Sequence, residues 1–130
     1  MGARQVEGLM HERVDGELLV YSPKTAETHA LNETAAIVFE LCADVNSREE
    51  MAAEIARRCG LPADEAIVDL ALADLVEAGL VVADDGTPLP VTRRALIRRL
   101  GLTAIAAALL PFVETIAMPS VAAATPTPAS

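Results

Sequence analysis

The side chains of this chain that could do chemistry are two cysteines, two histidines and nineteen carboxylates, and their spacing argues against most of it. Cys42 and Cys59 have no further cysteine or histidine at metal-ligand spacing. A pair of free thiols in a reducing compartment therefore fits better than a disulfide or a zinc site. His11 and His29 are isolated in strand-like stretches and read as polar or packing side chains rather than as bases or ligands. No catalytic residue, metal or cofactor is expected. What remains is main-chain chemistry: an unpaired strand edge offers a row of N–H and C=O groups that a second strand can satisfy.

That edge is predicted within residues 16–42. Leu18, Val20 and Tyr21 favour a strand, Ser22-Pro23-Lys24-Thr25 has turn chemistry, and Thr28 to Leu31 return as a short strand ending at Asn32. Asn32 is a good N-cap, and Glu33 places a carboxylate in the first turn of a helix carrying Ile37, Val38 and Leu41 at helical spacing. Ser47-Arg48-Glu49-Glu50 reads as a capping box opening a second helix that runs to about Arg58, with Met51 and Ile55 on its apolar stripe and Gly60 as its left-handed stop. A third helix is predicted over residues 63–78, closed by Gly79 and followed by a short strand at Leu80-Val81-Val82.

The third helix is apolar over more than one face. Val68, Leu72 and Leu75, flanked by Ala71 and Ala78, suffice for a small core, and Ile67 and Leu70 widen the arc while Asp69 and Glu77 mark a solvated side. Two readings stand: a broad buried stripe, or a flank kept for a partner. An apolar flank beside a strand edge makes a groove for an extended peptide.

Charge excludes the obvious competitor for such a topology, a DNA-binding winged helix. Residues 1–91 hold 6 basic and 18 acidic residues, a formal charge of −12, and no Lys or Arg lies between Ala63 and Val91. A phosphate backbone would be repelled, so no nucleic-acid partner is expected.

The ordered combination of hairpin, Leu31-Asn32, Met51-Ala-Ala-Glu-Ile55 and Glu77-Ala-Gly-Leu80 resembles the PqqD family, the peptide chaperones of pyrroloquinoline quinone biosynthesis and prototype of the RiPP recognition elements. The resemblance covers roughly residues 9–83. It implies an α+β, winged-helix-like fold, a small three-stranded antiparallel sheet packed on three helices. It also implies a non-catalytic function: the leader of a ribosomally made precursor peptide adds as a strand beside the third strand, against the third helix, and is presented to a modifying enzyme. By position, the peptide site is Glu27, Thr28, His29, Ala30 and Leu31 with Ile67, Leu70, Ala71 and Asp74. The chain departs from the family at Ala26, where glycine is usual, and at His29, where an aromatic is common. The alternative function is a winged-helix-like adaptor that binds a protein or a membrane surface through its tail.

The tail differs in sign and texture. Residues 92–130 carry four arginines and one acid, a charge of +3. Arg93, Arg94, Arg98 and Arg99 precede an apolar run and imitate a twin-arginine export signal at the wrong end of the chain, with Val121 to Ala124 imitating a cleavage site. The run is short for a membrane span and is broken by Pro111. The expected organisation is a domain over 1–83, a linker over 84–91, a basic and apolar helical segment over 92–113 and a disordered end over 114–130. The four arginines are the candidates for docking on anionic lipid or on an acidic partner, and the expected location is cytoplasmic, with membrane association through this segment.

Overall fold

The computed structural model describes residues 3–44, 47–83 and 91–116. Asp15-Gly16 joins strand β2 (Met10–Val14) to β3 (Glu17–Ser22), both turn residues having positive φ, 49° and 81°, as a two-residue hairpin turn matched to strand twist requires. The second turn returns the chain into β4 (Glu27–Leu31), and there Ala26 adopts φ 59° while its amide donates to the Ser22 carbonyl at 2.7 Å. Alanine takes the left-handed conformation that glycine adopts freely, at a cost of about 1 kcal/mol.

Three helices close the core on the inner face of this meander. Asn32 caps α1 (Glu33–Leu41), its side chain accepting from the Ala35 amide at 3.0 Å. Ser47 and Glu50 form the expected capping box of α2 (Arg48–Cys59), which ends on Gly60 at φ 75°. Asp64 caps α3 (Glu65–Glu77). Alternate residues of the strands, Leu18, Val20, His29 and Leu31, point at these helices and are almost fully buried, with Phe39, Ile37, Met51, Ile55, Leu72 and Leu75 filling the space between.

Three expectations are corrected. The sheet is not three-stranded: β6 (Val113–Ile116) extends it to the order β2-β3-β4-β6, and a separate ribbon pairs β1 (Ala3–Gln5) with β5 (Val81–Ala83). β4 is therefore no free edge but is paired on both sides. Asp69 does not mark a solvated side. It is 6% exposed, because Arg48 from α2 reaches across to its carboxylate at 2.8 Å.

The tail also folds onto the domain rather than running on as one helix. α4 (Arg93–Leu100) is capped by Thr92 and ends on Gly101, a four-residue helix α5 (Ala104–Ala107) follows, and β6 comes after Pro111. Leu96 and Leu110 are 2% and 0% exposed and belong to the same core as Phe39. Among the described residues no helix is long and apolar enough to cross a membrane. Residues 84–90, most of the expected linker, and residues 117–130, with the cleavage-site imitation, lie outside the described residues.

Candidate peptide-binding site

The site is built where β4 passes from the sheet into α1. Phe112, Val113 and Thr115 of the tail face Leu70, Asp74 and Glu77 of α3 and its C-cap Ala78 across a cleft of about 460 Å³, with Arg93 at its side. The latter four residues recur at helical spacing along one face of α3 and its cap, and together with β4 they make a wall and a ladder for an extended segment.

Here that segment is the chain's own residues 109–116. Thr34 Oγ1 donates to the Leu109 carbonyl at 2.6 Å, and Asn32 Nδ2 donates to the Leu110 carbonyl at 2.8 Å. The Asn32 amide donates to the Phe112 carbonyl at 3.1 Å, and the Phe112 amide donates back to Asn32 Oδ1 at 3.1 Å. From this pair the antiparallel register runs through Leu31 with Val113, Ala30 with Glu114, His29 with Thr115 and Thr28 with Ile116. Hydrogen-bonded pairs alternate along such a ladder, so Ala30 with Glu114 and Thr28 with Ile116 exchange main-chain bonds. His29 and Thr115 form a close-approach pair, and their side chains meet, Nδ1 to Oγ1 at 2.9 Å.

The electrostatics of the cleft are mixed. Partial burial raises the pKa of Asp74, the Arg93 guanidinium opposes that shift, and Glu77 adds to it. Arg93 donates to the Pro111 carbonyl and lies 5.7 Å from the centre of the Phe112 ring, close enough for a cation–π contact. His29 is 1% exposed, with its Nε2 3.6 Å from Glu27 and without a hydrogen-bond partner.

Of the residues expected at a peptide site, Thr28, His29, Ala30 and Leu31 lie on the paired edge, and Leu70 and Asp74 line the cleft, while Glu27 at the far end of β4 is exposed. Ile67 and Ala71 are both 0% exposed, inside the core. Missing from the expectation were Asn32, whose signal was absorbed by helix capping, Thr34, whose partner lies 75 positions away, and Glu77 and Ala78, which the spacing from Leu70 and Asp74 could have supplied. Of the four docking arginines, Arg93 is spent on Pro111 and Phe112 and Arg99 on Asp64 at 3.2 Å, whereas Arg94 and Arg98 are exposed.

Cys42 is 3% exposed and burial pushes its thiol up to about 11, and the described residues hold no group of three potential metal ligands.

No curated protein and no solved structure matches the chain. The family model described as Coenzyme PQQ synthesis protein D (PqqD) matches residues 17–81, from β3 through α3 to the first residue of β5, and leaves residues 91–116 outside. With half of its 130 residues so matched, the chain belongs to the PqqD family.

Proposed function

We propose that this protein is a peptide chaperone that captures the leader of a ribosomally synthesised precursor by strand addition at β4, against α3, and holds it for a modifying enzyme. The observation that supports this reading is the β4 edge itself: it holds a four-residue strand in register, beside a cleft lined by Leu70 and Asp74. Main-chain bonds of this kind supply affinity with little demand on sequence, and the cleft beside them supplies selectivity. Capture raises the local concentration of the precursor at the enzyme, which needs no reactive group from this chain. The work belongs in the cytoplasm, where precursors are translated. Arg94 and Arg98, exposed on α4, are the groups offered to an acidic surface of the enzyme.

The test is a titration of the full chain with leader peptides from short reading frames beside its gene, followed by amide chemical shifts. Perturbations centred on residues 27–32 and on Leu70, Asp74 and Ala78 are expected. Saturable binding mapped to the β1–β5 ribbon or to α2, or no binding by any such peptide, would overturn the proposal.

A further inference from the structure

Resting on that reading, we infer that residues 109–116 are a tethered guest of the peptide site, which an incoming leader must displace, and that their side chains set the chemistry of the leaders it accepts. Five bonds grip the segment before the ladder begins: Thr34 to Leu109, Asn32 Nδ2 to Leu110, Arg93 to Pro111, and the two-way pair of Asn32 with Phe112. Every one of them ends on a main-chain group of the segment. An unrelated peptide on the same path can take over all those made by Asn32 and Thr34.

Selectivity then falls to three side chains. Leu110 is 0% exposed and is the apolar anchor; Val113 faces α3 in the cleft; Thr115 presents its hydroxyl to His29. His29 is the only buried residue of this edge that asks for a polar partner. A guest without a hydroxyl at that position would strand a buried imidazole nitrogen, which is costly compared with a pair matched on both sides. The accepted peptides are therefore extended segments with an apolar residue, a second apolar residue three positions on, and serine or threonine two positions beyond that.

The segment lies outside the part matched by the family, so the guest is an addition to the module. It is delivered by α4, which is anchored by Leu96 and by Arg99 on Asp64. Tethering gives a guest an effective concentration of roughly millimolar. A free leader therefore meets a site that is mostly closed, and its apparent affinity falls by the open fraction.

The probe is a fluorescein-labelled synthetic peptide of residues 108–118, titrated by anisotropy into the full chain. In one variant, Glu114→Pro removes the amide that pairs with Ala30 and unseats the native strand. In another, Thr28→Cys with Ile116→Cys in a Cys59→Ala background locks the strand in place when oxidised. The peptide should bind Glu114→Pro about tenfold or more tightly than the unaltered chain. A Thr115→Val form of the peptide should bind it about tenfold more weakly than the Thr form. The oxidised chain should bind nothing until it is reduced.

Equal binding by oxidised and reduced chains would overturn the inference, and so would a folded Glu114→Pro chain that ignores the peptide. Should Glu114→Pro fail to fold, the oxidised and reduced chains alone decide. If leaders from neighbouring reading frames still bind where the tail peptide does not, the chaperone function stands and only the tethered guest falls. If neither binds, both fall.

Discussion

Asn32 holds Phe112 from two sides, its amide donating to the Phe112 carbonyl and its side-chain oxygen accepting from the Phe112 amide, each at 3.1 Å. The same oxygen caps α1 at Ala35 and the same side chain reaches Leu110. One residue thus ends β4, starts a helix and grips the tail. Asn32→Ala should cost about 2–3 kcal/mol in urea unfolding, combining a lost N-cap with lost tail bonds. Asn32→Asp keeps both acceptor roles and gives up only the donor to Leu110, so a smaller loss is expected. Equal losses would mean that the two acceptor roles of Oδ1, toward Ala35 and toward Phe112, contribute nothing.

Leu109 and Leu110 are neighbours with opposite fates, 41% and 0% exposed. Leu110→Ala should destabilise the chain by about 2–5 kcal/mol through the cavity it leaves, whereas Leu109→Ala should stay within about 0.5 kcal/mol. Thermal melts of the two variants check this, and hydrogen exchange at residues 28–32 separates release of the tail from global unfolding.

Leu70 is 6% exposed, part of the core cluster at the point where it meets the cleft with Phe112 and Val113, while Leu72, 1% exposed, sits deeper among the helices. Leu72→Asp buries a charge without a partner and should unfold the domain. Leu70→Asp can relieve its charge by releasing the tail, so the helices should survive while residues 113–116 lose exchange protection. Complete unfolding by both changes would mean that the helices, and not the tail, hold Leu70.

Asp74 has its pKa raised above 3.8, chiefly by burial. A carboxyl that binds its proton more tightly folded than unfolded favours the native state at low pH and gives up that benefit as pH rises through the folded value. Asp74→Asn should therefore raise the melting temperature at pH 7 and flatten its pH dependence across the acid range in which carboxyls titrate. A fall at pH 7 would mean that attraction to Arg93 outweighs burial.

Cys42 is 3% exposed, and burial pushes its thiol up to about 11, while Cys59 is half-buried at the end of α2. At pH 8 a thiol reagent should modify one cysteine of the native chain, Cys59, and reach Cys42 only on unfolding. Mass spectrometry of the labelled peptides tests it. Rapid labelling of both would mean that α1 frays at its C-terminus.

The meander and the first three helices were legible because their signals are local. Asn32, Ser47 and Gly60 announce helix ends through their own side chains or lack of one, and each behaves as its type dictates. Asp69 was misread because its partner, Arg48, belongs to another helix. β6 was invisible for the same reason at longer range: Val113-Glu-Thr-Ile has only four residues after a proline and becomes a strand by pairing with residues more than eighty positions earlier. Periodicity rules cannot see such a partner. Half of the candidate site, the β4 edge with Leu70 and Asp74, could be placed from the sequence, but its occupant could not.

The position of β4 between β3 and β6 bears on solubility. A protein with the proposed function must keep an edge able to template any extended chain, and such edges recruit one another as readily as they recruit a ligand. With β6 seated, the rims of the sheet are β2, which carries Glu12 and Arg13, and the outer side of β6, which carries Glu114. Charged rims resist edge-to-edge stacking. The tail thus acts as a sheath, and a chain deprived of it should stay dispersed only at low concentration or in the company of its peptide.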